Sequence, residues 1–411
     1  MKKVIFMLAV VLMSANCFAQ TANVKKAKNA ALAAENPDFA AARQYIEPAL
    51  EDAATKDVAD TWYVAGLIGY QENDYLNAQQ MIGKTIDQER KGKALIESYN
   101  YWLKADELGQ IPNEKGKINT KIRKNIAAKM LEYYTQQDLV KYGIYLNEQR
   151  DFARAYEVFS LHLSIPDLPM MQDPKMQEKM PKDTIYQQYL FYKGIFAVQA
   201  EMHPEAIEVL EQMKDGSYEA VSVNQFLYQE YLTLNDTANF VRVLQDATER
   251  FPSESWFLQN LINYYIFSSQ EDVAVEYLDK AIEREPNVAQ YYHIKGNILE
   301  NMKQYDAALQ AFDAALAINP DLADAEAGKG RVYYTQAVKM NEDAANIAND
   351  KEYRAKLKEM DATFAKSLPF FEKAHELDPE NRDYMIILKQ LYYRANDDVK
   401  YNAISELLNQ Y

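Results

Sequence analysis

Five evenly spaced positions, Gly194, Tyr228, Ile262, Gly296 and Gly330, constrain this chain more than any other feature. Each opens the same local pattern. The clearest copy runs through Tyr292, Lys295, Gly296 and Leu299 to Ala308, Phe312, Ala315 and Pro320. Apolar residues at i, i+3 and i+4 intervals turn one face of a helix into a core. The small residues Gly296, Ala308 and Ala315 mark where two helix backbones approach most closely. Pro320 stops the second helix, because its ring fixes φ and leaves no N–H to donate. Pro252, Pro286 and Pro320 keep the same interval, so the register does not rest on glycine alone. A two-helix unit of this size cannot bury its apolar face by itself, and only stacked copies make a core.

These offsets resemble the tetratricopeptide repeat, a helix–turn–helix unit of about 34 residues. The resemblance implies an all-α fold, a right-handed α-solenoid of antiparallel helix pairs that works by holding other molecules. Composition points the same way. Only 12 Gly and 13 Pro occur among 411 residues, too few for a turn-rich β architecture. Ala-rich stretches such as Ala307-Ala308 and Ala314-Ala315 favour helix.

The pattern divides the chain. Residues 185–320 carry regular repeats, with Leu258, Leu261, Tyr265, Ala274, Leu278 and Ala281 forming one copy and Leu227, Tyr231, Leu244 and Ala247 another. Phe240 stands where Ala is usual. Residues 20–184 read as degenerate repeats with insertions. Gly143, Leu146, Ala155 and Phe159 make a copy, followed by extra residues around Met170-Met171 and Pro181 that read as a loop. Trp62, Ala65, Gly66 and Ala78 match the beginning of the family's W-x2-L-G pattern, with Ala for Leu and Gly69 for Tyr. Ser98, Trp102 and Ala105 read as a second helix, and Ala42, Ile46 and Ala49 as a degenerate first repeat. In residues 321–411, Phe371, Ala374 and Pro379 close a second helix much later after Pro320 than one period allows. The surplus, between Val338 and Ser367, reads as two helices lengthened past the stack.

Residues 1–19 read as a secretory signal peptide: Lys2-Lys3, an apolar run from Val4 to Met13, and Ala19 before the expected cut. The run is far short of the ~20 residues a membrane span needs. Cys17 is the only cysteine, and Ser14-Ala15-Asn16 is a poor lipoprotein box before it. Cleavage after Ala19 discards it, leaving an exported chain without thiol or disulfide chemistry, at the periplasm or the periplasmic face of an outer membrane. The formal net charge of −16 argues against nucleic acid as a partner, because such a surface repels phosphates.

Nothing in the sequence calls for a cofactor, a metal or catalysis. Ala78 through Gly83, Lys84 and Thr85 satisfies a relaxed phosphate-loop pattern, but no strand precedes it and Ala78 reads as a packing position in a helix. His162, His203, His293 and His375 are widely separated, and no zinc, calcium or serine-nucleophile motif occurs.

In the resembled family, residues 2, 5, 9 and 12 of each repeat face an inner groove. Here they include Gln225 and Gln229, then Trp256, Gln259 and Asn263, then Gln290, His293 and Asn297, then Arg331 and Tyr334. An exposed, amide-rich row of this kind can donate to and accept from an extended peptide backbone at once. The family's carboxylate-clamp lysines are missing; only Asn263 and Asn297 match that variant. The expectation is a non-catalytic scaffold for a protein or peptide. A glycan-binding envelope protein is the less favoured alternative.

Overall fold

A computed structural model of the chain describes residues 20–112 and 115–410. The expected signal segment 1–19, with Cys17, lies outside them. No strand occurs among the described residues, which divide into two compact units, one up to residue 240 and the other from residue 241 onward. The first holds α1 (residues 20–31), α2 (Phe39–Glu51), α3 (Ala59–Met81), α4 (Gln88–Gly109), α5 (Thr120–Gln136), α6 (Asp138–Glu148), α7 (Phe152–Ser164), the single-turn α8 (Pro174–Gln177), α9 (Thr184–Gln199), α10 (His203–Met213) and α11 (Ala220–Thr233). Helix α12 (Thr237–Arg250) straddles the division. The second unit holds α13 (Ser255–Phe267), α14 (Glu271–Arg284), α15 (Ala289–Asn301), α16 (Tyr305–Ile318), α17 (Ala323–Ala344), α18 (Asp350–Leu377), α19 (Arg382–Arg394) and α20 (Asp398–Leu408).

The fold is all-α, built of stacked antiparallel helix pairs, and one contact repeats through it. A methyl group built on Gly296 would lie 2.6 Å from Cε1 of Phe312 on the partner helix. Gly143 meets Phe159 and Gly194 meets Leu210 at the same sequence spacing. Gly330 meets Phe371, which follows it by that spacing plus the surplus of the long pair. A missing side chain on one helix thus seats a large side chain from the other.

The turn inside each pair repeats as well. Glu201, Asn235, Ser269 and Lys303 lie one repeat apart and all have positive φ, between 55° and 59°. Each ends its first helix in the left-handed conformation, and the next residue donates its N–H to a carbonyl one turn back, as Gln304 does to Leu299 at 2.8 Å. Arg150 and Asn396 do the same. In the long pair, Ala337 occupies this place and stays helical, so α17 and α18 run on to 22 and 28 residues. A left-handed non-glycine residue costs ~1–2 kcal/mol, partly offset by the freedom glycine has when unfolded. Lys303→Gly is therefore expected to stabilise the chain by ~0.5–1 kcal/mol in urea unfolding.

The stretch between α7 and α9 is not the open loop its composition suggests. It folds into two 3-10 turns, Ile165–Asp167 and Pro169–Met171, and then α8. Met170, Met171 and Met180 are buried in the same core as α4 and α5. The amide of Gln177 closes the knot by donating to the carbonyls of Pro166 at 2.7 Å and Met171 at 3.1 Å.

Beside it lies His162, only 1% exposed and stacked flat on Tyr134 with ring centroids 4.6 Å apart. Burial pushes its imidazole down from the ordinary 6.5 to about 4. Below pH 6.5 the unfolded chain binds a proton on this ring that the folded chain refuses, so stability falls as pH falls. Asp74 works in the opposite direction, raised to about 6 by burial and by the nearby Glu132 carboxylate. The His162 contribution is therefore read as a difference. Between about pH 7 and about pH 5 the wild type should lose ~2 kcal/mol more unfolding free energy than His162→Gln. Equal losses would contradict the assignment.

The relaxed phosphate-loop match fails on geometry too. Ala78 is on α3 but exposed, a correction to its reading as a packing position. The N–H groups of Gly83 and Lys84 already donate to Gln80 and Gln79, capping α3 rather than facing a phosphate.

Candidate binding face and polar cleft

The first helices of the second unit, α13, α15 and α17, carry eight of the ten residues singled out from the sequence. They fall into two groups. Gln259, Asn263 and Gln290 are exposed, and their side chains make no hydrogen bond among the described residues. Trp256 is half-buried and edge-on to Phe257, with ring centroids 5.1 Å apart. In the first unit, Gln225 is half-buried and Gln229 exposed, both on α11.

The second group is closed. His293 is only 8% exposed, a correction to its expected place in an open row. Its Nε2 lies 3.2 Å from Nδ2 of Asn297. Asn297 Oδ1 accepts from Arg331 Nη2 at 2.7 Å, and the same guanidinium reaches Glu300 at 2.8 Å. Burial lowers the His293 pKa; Asp324 opposes this and Arg331 adds to it. Tyr334 donates to Gln390 and sets its ring edge-on to Phe364, 5.2 Å away. The physical reason is plain in the spacing. Asn263, Asn297 and Arg331 occupy the same position in three consecutive repeats, and the long Arg331 side chain reaches back one repeat to use up the Asn297 amide. Glu300, which holds that guanidinium, was not singled out from the sequence, although it sits at a groove position of its repeat.

A second surface was not visible in the sequence. In the first unit an open cleft of about 940 Å³ is lined by Arg43, Glu72, Arg90, Glu97, Tyr142 and Arg154, among others. Glu72 is buried and receives Arg43 at 2.6 Å and Arg90 at 2.5 Å. Arg43 also holds Glu97 at 2.8 Å, and Arg154 holds Glu89 at 2.7 Å. Acids and bases alternate, so the cleft favours neither sign of ligand. Arg43, Glu72 and Arg90 come from the consecutive helices α2, α3 and α4, and Arg154 reaches Glu89 from α7; no spacing rule marks these charges as partners.

Against known families, residues 289–322 match the model described as tetratricopeptide repeat. The matched span contains the sequence copy that runs from Tyr292 through Gly296 to Pro320. Those residues are a tetratricopeptide repeat. Solved structures resemble parts of the chain. One is the C-terminal part of a TPR repeat-containing protein from Cytophaga hutchinsonii, at 15% identity and TM-score 0.41, covering 65% of this chain and 93% of that one. Another is a MamA protein from Desulfovibrio magneticus, at 20% identity and TM-score 0.33, covering 46% of this chain and 91% of that one. No curated protein matches the chain.

Among the described residues no helix is long and apolar enough to cross a membrane, and no cluster of three or more His, Cys, Asp or Glu could hold a metal ion.

Proposed function

We propose that the chain is a non-catalytic scaffold of the bacterial cell envelope that holds an extended protein segment on the first helices α13 and α15. The supporting observation is the tetratricopeptide repeat at 289–322, with an exposed amide at Gln290 within it and two more, Gln259 and Asn263, on the repeat before it. Gln259 and Asn263 lie one turn apart on one face of α13, and Gln290 opens α15. An amide donates and accepts, so such a row serves a peptide backbone without choosing its side chains. Trp256, half-buried at the start of α13, supplies an aromatic anchor. Export rests on the charged start, apolar run and Ala19 within residues 1–19; mass spectrometry should find Gln20 at the mature N-terminus.

The test is affinity for a partner captured from envelope extract and then purified. Gln259→Ala with Asn263→Ala should weaken binding by roughly one to two decades, at ~0.5–1.5 kcal/mol per lost hydrogen bond. Both side chains are exposed, so thermal melting should not move. Asn297→Ala is a poor substitute, because it also frees Arg331 from a partner. Charge reversal at the exposed Glu276 is the control. Equal affinity of double variant and wild type would remove this face from the account.

A further inference from the structure

The extra residues between α7 and α9 interrupt the repeat period, and they help to line a cavity that opens to solvent. It measures about 220 Å³ and is lined by His162, Tyr134, Tyr186, Tyr189, Lys179 and Asp183, with neighbours from the same elements. Tyr134 comes from α5, His162 from α7, Tyr186 and Tyr189 from α9, and Lys179 and Asp183 from the inserted segment. We propose that this cavity receives the ammonium or guanidinium group of a basic ligand, such as a lysine or arginine side chain of a bound protein.

Three observations converge. The walls are half-buried tyrosine rings, whose negative faces attract a cation. Lys182 already stands 5.5 Å from the Tyr186 ring centre while paired with Asp167, so a ring of this cavity lies within cation–π range of an ammonium. The floor is an uncharged base. His162 is stacked on Tyr134 and edge-on to Tyr189 at 5.5 Å, and its Nδ1 is sealed without a partner. That leaves Nε2 as the ring nitrogen able to meet an occupant, and a neutral imidazole does not repel a cation. On the rim the charges of Lys179 and Asp183 offset one another. The chain as a whole carries a net −16, which draws basic ligands in.

The inference deepens the scaffold reading, but its test needs no partner. The full chain, labelled with 15N at its four histidines, is titrated with L-argininamide, tetramethylammonium and methyl β-glucoside while the imidazole resonances are followed. His162→Gln identifies the His162 signal. Both cations should shift that signal saturably and leave the other three in place. Tyr186→Leu keeps the bulk of the wall and removes its aromatic face, and should weaken the response at least tenfold. A silent His162 signal, or an equal movement of all four with ionic strength, would overturn the proposal. So would a response to the glucoside alone, which would make the cavity a sugar site. Loss of partner binding in the Gln259 and Asn263 variants bears only on the scaffold face, so the two ideas fail separately.

Discussion

Gly296→Leu should dismantle the repeat it belongs to, lowering stability by roughly 3–4 kcal/mol. Leucine is the better helix former by ~0.8 kcal/mol, so local propensity alone predicts a gain. Packing decides otherwise. Even the first carbon of a side chain at Gly296 would sit 2.6 Å from the Phe312 ring, and a methyl on Gly328 would sit 2.5 Å from it. Phe312 is fully buried between these two glycines and cannot step aside in either direction. Expelling the ring forfeits what truncating a buried phenylalanine forfeits, ~3–5 kcal/mol. Gly194→Ala is the comparison: the new methyl would meet Val209 and Leu210 at 3.3 and 3.4 Å, so its effect should be slight. Urea unfolding of both variants measures the contrast. A Gly296→Leu chain with unchanged unfolding would mean that the glycine–phenylalanine contact does not hold the pair together.

The legible part of this fold is whatever repeats. The contact between a glycine on one helix and a large side chain on the next recurs at Gly143, Gly194, Gly296 and Gly330, and where Tyr228 and Ile262 replace the glycine the apolar spacing and the prolines keep the register, so the copies check one another. Insertions break that redundancy. The stretch around Met170 and Pro181 has loop-like composition, and nothing local says that its methionines are buried against α5. Position rules also say which side a residue faces, not whether a neighbour has used it. Asn263 and Asn297 occupy the same place in consecutive repeats, yet one is open and the other is held by Arg331. That difference arises from the residue one repeat later. The Arg43–Glu72–Arg90 cluster leaves no mark in the sequence, since α2, α3 and α4 carry degenerate repeats and no repeated position pairs these charges. In the sequence His162 is an isolated histidine, because the tyrosines around it come from separate stretches of chain.

In the first unit the largest loss is expected from Trp102→Ala. Trp102 is completely buried and its indole Nε1 donates to the carbonyl of Tyr63 at 3.2 Å. Its ring lies 5.5 Å from Tyr70 and 5.9 Å from Tyr133, and Gly66 is pressed against it, leaving no room for a methyl group. Truncating a buried aromatic of this size costs ~3–5 kcal/mol. The upper half of that range fits here, because the rings on each side are themselves large and cannot collapse into the space. Trp102→Phe keeps an aromatic filling but abandons the hydrogen bond and part of the volume, and should lose ~1–2 kcal/mol. Gly66→Ala attacks the same contact from the opposite helix. If the contact is what matters, Gly66→Ala should be far less harmful in the Trp102→Ala background, where the cavity admits the methyl group. Urea unfolding followed by circular dichroism measures all four chains. Additive losses in that cycle would mean that Trp102 acts through its other neighbours and not through the close approach of α3 and α4.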